Sequence, residues 1–160
     1  VESAGNGGAR PPGAPALTAA LSLDGGGSRI AAARHFAAGF LTRAHTDHGV
    51  PVSARATDLT QLVVSELVTN AHKYAPGPLT MELRIADAMV TVTVRDGVRA
   101  RPTARPVDPR RVGQHGLEIV MAVAHAFRVD LEPAGKSVTA SIALADQPAA
   151  GGSGTGSAAR

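Results

Sequence analysis

Two neighbouring segments alternate strictly between apolar and polar side chains, and this pattern limits the possible folds more than any other feature of the chain. Leu79, Met81, Leu83 and Ile85 fall on one side of an extended backbone, with Thr80, Glu82 and Arg84 on the other. After Asp87, Val90, Val92 and Val94 repeat the pattern against Thr91, Thr93 and Arg95. A period of two belongs to half-buried strands, and the short connection joins them as a hairpin with one face on a core.

The rest of the chain supplies what covers that face. Leu17, Ala19, Leu21 and Leu23 alternate as a first strand, followed by a turn at Asp24-Gly25-Gly26-Gly27 and a helix that Ser28 is placed to cap. Ile30, Ala33, Phe36, Ala37, Phe40, Leu41 and Ala44 recur at helical spacing, and His45 to Pro51 reads as a loop. A second helix is predicted from about Ser53 to Tyr74, with a core stripe of Leu59, Leu62, Val63, Leu67 and Ala71. Ala75-Pro76-Gly77-Pro78 stops it, because proline cannot continue the backbone bonds.

Beyond the hairpin, Gly97 to Gly113 shows no period. A third helix is predicted from near Gly116 through Leu117, Val120, Met121, Ala124 and Phe127. Val129 and Leu131 mark a short strand, Pro133 to Lys136 a turn, and Val138, Ala140, Ile142 and Leu144 a last strand. Hairpin-linked strands with loosely grouped helices argue an α+β fold with helices over one sheet face.

The chain has 160 residues with 44% apolar content, enough for one domain with a real core. Residues 1–15 are rich in Gly, Ala and Pro, and 147–160 in Gly and Ser, so both ends read as flexible tails around a domain at 16–146. No cysteine is present, which excludes disulfides and thiolate metal sites. No apolar run approaches the ~20 residues of a membrane helix, and no signal peptide pattern is visible, so a cytoplasmic protein is expected. The net charge of +3 accommodates an acidic partner or a nucleotide. With no Trp, one Tyr and three Phe, stacking platforms for single-stranded nucleic acid are lacking, and no helix carries a basic stripe for a groove.

Four features carry chemistry. Glu66 and Asn70 stand one turn apart on the second helix, at or beside its apolar face. A carboxylate there is costly unless it is paired, opens onto a cavity or sits at the solvent boundary. In a cavity it is a candidate general base, and an Asn oxygen beside it is a candidate Mg²⁺ ligand if phosphates supply the rest of the shell. Asp96-Gly97 closes the third strand, where a carboxylate can accept the amino hydrogens of adenine or simply begin a turn. Gly113-Gln114-His115-Gly116 precedes a helix, and glycines at a helix start allow close approach of phosphate. The segment before it holds Arg99, Arg101, Arg105, Arg110 and Arg111 against Asp108, five positive charges and one negative, or +4. No Gly-Lys-Ser/Thr follows, so this is not a Walker loop.

Taken in order, these residues resemble the GHKL ATP-binding domains, over about Leu17 to Leu144. Glu66-Leu67-Val68-Thr69-Asn70-Ala71 is similar to the family's N box, Asp96-Gly97 to its first glycine box, Gly113 to Gly116 to its second, and Gly135-Lys136-Ser137-Val138 to its final strand. The spacing suits the compact branch of anti-sigma-factor serine kinases. The resemblance implies a Bergerat-type fold, a two-layer α+β sandwich of a mixed, mostly antiparallel sheet with three helices on one face. It implies ATP and Mg²⁺ as cofactors, with Glu66 as catalytic base, Asn70 as metal ligand, Asp96 as adenine contact and Lys73 reaching a phosphate. Gly97, Gly113, His115, Gly116, Leu117 and Ser137 complete the implied nucleotide contacts, Ser137 assisting Asp96. The implied activity is transfer of the γ-phosphoryl group to Ser or Thr of a partner regulator, an anti-sigma-factor antagonist. The alternative is a nucleotide-switched module that sequesters a sigma factor or another partner. A homodimer is also implied. The chain departs from the family at Val98, where a Gly is frequent, and at Gln114-His115.

Overall fold

A computed structural model of the chain describes residues 15–24, 28–74, 77–97, 112–133 and 135–146, and side chains in these ranges except those of Tyr74 and 112–115. The two tails, the Gly25–Gly27 turn, Ala75-Pro76, Val98, the five-arginine segment and Ala134 lie outside the described residues. The elements run β1 (Leu17–Leu23), α1 (Arg29–His48), α2 (Ala54–Tyr74), β2 (Leu79–Ala86), β3 (Met89–Asp96), α3 (Val112–Val123), β4 (Ala126–Glu132) and β5 (Gly135–Ala143). This is the element order that periodicity predicts.

The strands form one sheet in the order β1-β2-β3-β5-β4, and all four pairings are antiparallel. β2 and β3 make the expected hairpin, Leu83 opposite Val92, through a turn with Asp87 and Ala88 both at positive φ. Two positive φ values in succession give the turn a twist that matches the flanking strands. Leu79, Met81, Leu83 and Ile85 of β2, Val90, Val92 and Val94 of β3, and Val138, Ala140 and Ile142 of β5 are buried on one face. α1 lies over β1 and β2, α2 over β3 and β5, and α3 against α2 and β4. The result is an α+β sandwich with its core between a single sheet and a single helix layer. No helix among the described residues is long and apolar enough to cross a membrane.

Several boundaries and faces differ from the sequence reading. α1 runs on through His48 where a loop from His45 is predicted. Ala44 is buried, and Gly49, left-handed at φ 69°, ends the helix by returning its N–H to the His45 carbonyl. Ser28 precedes α1 but makes no side-chain capping bond, whereas Ser53 Oγ does cap α2, accepting from Ala56 N at 2.9 Å. On α2 the core face is Val63, Val64, Leu67 and Val68, all essentially inaccessible, while Leu62 is 36% exposed. At 100° per residue, a face centred between Val63 and Val68 places Leu62 about 170° away, on the opposite side of the helix.

α3 begins at Val112, a turn before the predicted start, and ends at Val123. Ala124 lies beyond it, Phe127 belongs to β4 opposite Ala140, and Met121 is exposed. The helical spacing from Val120 to Phe127 is therefore coincidental. His125 N bonds to Ser141 O at 2.7 Å, and that sheet contact takes the chain out of the helix.

Arg29, at the start of α1, is buried at 5% exposure, and the sequence alone gives it no special role. Its NH1 and NH2 donate to the Gly77 carbonyl at 3.1 and 3.2 Å, and NH2 also reaches His72 Nδ1 at 3.2 Å. A guanidinium can only donate, so His72 Nδ1 accepts. These bonds pin the first turn of α1 to the end of α2 and the turn behind it. Replacement Arg29→Met keeps the aliphatic bulk and removes the donors. It is expected to lower the unfolding free energy by about 1–3 kcal/mol in urea denaturation. An unchanged midpoint would show that the clamp adds no net stability.

Candidate functional site

The C-terminal half of α2, the end of β3, the start of β5 and the N-terminal half of α3 meet at one end of the sandwich. The ladder places Leu79, Asp96 and Lys136 in one row across β2, β3 and β5. α2 leads into Leu79 through the short turn at Gly77-Pro78, so its last turns stand above that row.

Glu66 is half-buried and Asn70 only 5% exposed. The burial of Asn70 follows from the packing of α2, because it adjoins the fully buried Leu67 and Ala71 side of the helix. No described residue is seen to make a hydrogen bond to the Asn70 amide. A largely desolvated amide is costly unless something pairs with it.

Two glycines decide how closely backbone approaches the carboxylates. Gly116 of α3 lies directly against Glu66, and a Cβ at that position would overlap Glu66 Oε1 and stand 3.5 Å from Cδ. The absence of a side chain at 116 therefore lets α3 close onto the acid. Gly135 opens β5 at φ 151°, and a Cβ there would collide with the Asp96 carbonyl oxygen and lie 3.2 Å from Oδ1. Asp96 is 8% exposed, and its Oδ1 accepts the Lys136 backbone N–H at 3.3 Å. One carboxylate oxygen is thus held by the start of β5.

The structure brings Glu66 together with Gly116, and Asp96 together with Gly135 and Lys136. It treats the other sequence candidates differently. Lys73 is exposed in the last turn of α2, Gly97 is exposed just past β3, and Leu117 is half-buried against the core. Gly113, Gln114, His115 and Gly116 do not precede α3 but form its first turns. The His115 side chain lies outside the described residues.

Ser137 is not the residue paired with Asp96 in the ladder. It pairs with Arg95, and in an antiparallel ladder paired residues share a face, so it lies on the side of the sheet away from Asp96. There its Oγ reaches Glu132 Oε2 at 3.4 Å. The position beside Asp96 belongs to Lys136, which the sequence reading passed over. Counting by twos back from the buried Val138 would have found it. On the same open face, Glu82 accepts a hydrogen bond from Arg95 at 2.6 Å. That bond, with the charges of Glu82 and Glu132, raises the Arg95 pKa further.

A cavity of about 380 Å³ lies at the other end of α2, lined by Arg55, Leu59, Val123, His125 and Asp146 among others. A second of about 190 Å³ lies between β1 and α1. Neither includes Glu66, Asn70 or Asp96.

The glycine contacts yield a paired prediction. Gly135→Ala sets a Cβ against backbone at a positive φ and is expected to cost about 1–3 kcal/mol in thermal or chemical unfolding. Gly116→Ala meets only the end of a side chain that can swing away. It should cost well under ~1 kcal/mol of stability while displacing the Glu66 carboxylate. Equal losses from the two would contradict this account of the close approaches.

Comparison with known proteins bears on the whole of this region. The histidine kinase-like ATPase domain family matches residues 28–142, most of the chain. No curated protein sequence matches. Among solved structures, one similar to this chain is that of the RsbU and RsbW domains of Rv1364c from Mycobacterium tuberculosis, with 20% identity and a TM-score of 0.57. The alignment covers 82% of this chain and 32% of that one, so the present chain spans about a third of its length. At that identity the likeness speaks for the fold. The Acinetobacter baumannii histidine kinase AdeS aligns at 13% identity and a TM-score of 0.46, over 80% of this chain and 68% of that one.

Proposed function

Since the chain belongs to the histidine kinase-like ATPase domain family, we propose that it binds ATP with Mg²⁺ and transfers the γ-phosphoryl group to a Ser or Thr hydroxyl of a protein regulator. The observation that carries this reading is the Asn70 amide, buried and with no hydrogen bond among the described residues, one helical turn from a carboxylate that lies against backbone at Gly116.

The residues fit a magnesium-bound nucleotide. Asn70 Oδ1 is a hard neutral oxygen, suited to Mg²⁺ when phosphates provide the charged ligands. Bound Mg²⁺ supplies charge neutralisation at the phosphates. The Asp96 carboxylate, 8% exposed at the end of β3, is an acceptor suited to an exocyclic amine, which adenine offers and guanine does not at its 6-position. The glycine-bearing first turns of α3 give backbone a way to approach phosphate without side-chain obstruction.

In the transfer, Glu66 accepts the proton of the attacking hydroxyl at a carboxylate oxygen. The hydroxyl oxygen forms the new bond to phosphorus, and ADP departs with the bridging oxygen. The anti-sigma-factor branch that the sequence resembles supplies the expected partner, an anti-sigma-factor antagonist. In the alternative reading the same site acts only as a switch for holding a sigma factor or similar partner.

Calorimetry and radiolabel transfer separate these readings. ATP is expected to bind in a Mg²⁺-dependent way and more tightly than GTP. Asn70→Ala is expected to abolish the Mg²⁺ dependence while the unfolding midpoint moves little. Unchanged Mg²⁺-ATP affinity in that variant would remove Asn70 from the site. Glu66→Gln should keep nucleotide affinity and lower phosphoryl transfer to the partner by roughly 100- to 10,000-fold. Nucleotide-dependent partner binding with no transfer in the unaltered protein would favour the switch.

A further inference from the structure

Apolar packing holds α2 through Val63, Val64, Leu67 and Val68, and along the helix it reaches as far as Ala71. His72 and Lys73, the next residues, are exposed, and α2 ends at Tyr74. The last turn of a helix has no intrahelical partners for its carbonyls and frays unless something outside the helix ties it down. Asn70 lies one turn from that end. The ladder of a helix joins the carbonyl of residue 70 to the N–H of residue 74, so the placement of Asn70 depends on the turn that follows it.

Arg29 supplies the ties. Its NH2 donates to His72 Nδ1 at 3.2 Å, inside the last turn. NH1 and NH2 both donate to the Gly77 carbonyl, at 3.1 and 3.2 Å, three residues past the helix end. One guanidinium thus holds the terminus of α2 from both sides. Arg29 is itself anchored in the first turn of α1, a helix fixed to the core by the fully buried Ala33 and Ala37. Apolar contacts have no preferred direction. Hydrogen bonds from a cation are both strong and directional, so this set fixes orientation as well as contact.

We propose that Arg29 is a positioning residue for the nucleotide site: by holding the last turn of α2 it sets the Asn70 amide for a phosphate-bound Mg²⁺. The proposal rests on the reading of Asn70 as the metal ligand. Arg29 is 5% exposed with NH1 and NH2 engaged, so it acts through α2 and not on the nucleotide. Asp96 is held separately, by the Lys136 N–H at the start of β5. Arg29 therefore governs the metal-dependent part of ATP binding and leaves the preference for ATP over GTP alone.

Calorimetry of ATP with and without Mg²⁺, and of GTP with Mg²⁺, tests this at a temperature well below the unfolding midpoint of every variant. Arg29→Met is expected to weaken Mg²⁺-ATP binding by about 10- to 100-fold, the usual loss when a residue that orients a metal ligand is removed. ATP affinity without Mg²⁺ and the ATP-over-GTP preference should not change. His72→Ala removes one bond of the set and should cost about 2- to 10-fold of the Mg²⁺-ATP affinity. His72→Asn, which keeps an acceptor near the place of Nδ1, should cost less than His72→Ala. Unaltered Mg²⁺-ATP affinity in Arg29→Met, beside a loss in Asn70→Ala, would overturn the positioning role alone. An equal loss of ATP affinity with and without Mg²⁺ would also overturn it, since general damage to the site has that effect. If Arg29→Met does not fold, unaltered Mg²⁺-ATP affinity in His72→Ala overturns the proposal. Asn70→Ala without effect would remove the reading of the site and this proposal with it.

Discussion

α2 has to serve two environments from one surface, and where its apolar face ends decides much of the rest of the structure. Val63, Val64, Leu67 and Val68 are sealed between the sheet and α1, which fixes the rotation of the helix about its axis. Once that rotation is set, Asn70 is drawn to the edge of the buried face and Glu66 to its flank. A polar residue so placed is expensive if it stays dry and alone. Its placement therefore follows from packing: the hydrophobic contacts of the helix hold Asn70 at the edge of the buried face, with no hydrogen bond to it among the described residues.

The second element of the site is close approach of backbone. Gly116 lets α3 lie on Glu66, and Gly135 lets the start of β5 press on Asp96 so that the Lys136 N–H holds one carboxylate oxygen. Both contacts orient an acid through elements anchored in the core, α3 through Val120 and β5 through Val138 and Ala140. A carboxylate held in this way samples fewer positions than an unsupported one.

Much of the fold was legible because each layer carries a clear period. The alternation at Leu79–Ile85 and Val90–Val94 has no helical interpretation, and both strands lie where it puts them, in the predicted hairpin. The element order was readable from changes of period, and Glu66 and Asn70 stood out as a polar pair beside an apolar stripe. Short or ambiguous periods failed. Met121 and Phe127 stand at helical intervals from Val120, but Phe127 is recruited into β4 by pairing with Ala140. Leu62 is apolar yet lies on the side of the helix away from the core, because residue type does not reveal the centre of a face with Val63 and Val64 adjacent. The buried Arg29 was unreadable. Its partners, His72 and the Gly77 carbonyl, lie more than 40 residues away and one is backbone.

Read alone, the sequence settles which residues can carry chemistry and in what order helices and strands follow, since both depend on local periodicity and residue type. Folding in three dimensions settles which of those residues meet. Asp96 has Lys136 and not Ser137 beside it because the β3–β5 register assigns alternate residues to opposite faces, and register is a property of two strands about 40 residues apart. The approach of Gly116 to Glu66 likewise depends on the placement of α3 against α2, which neither helix encodes in its own pattern.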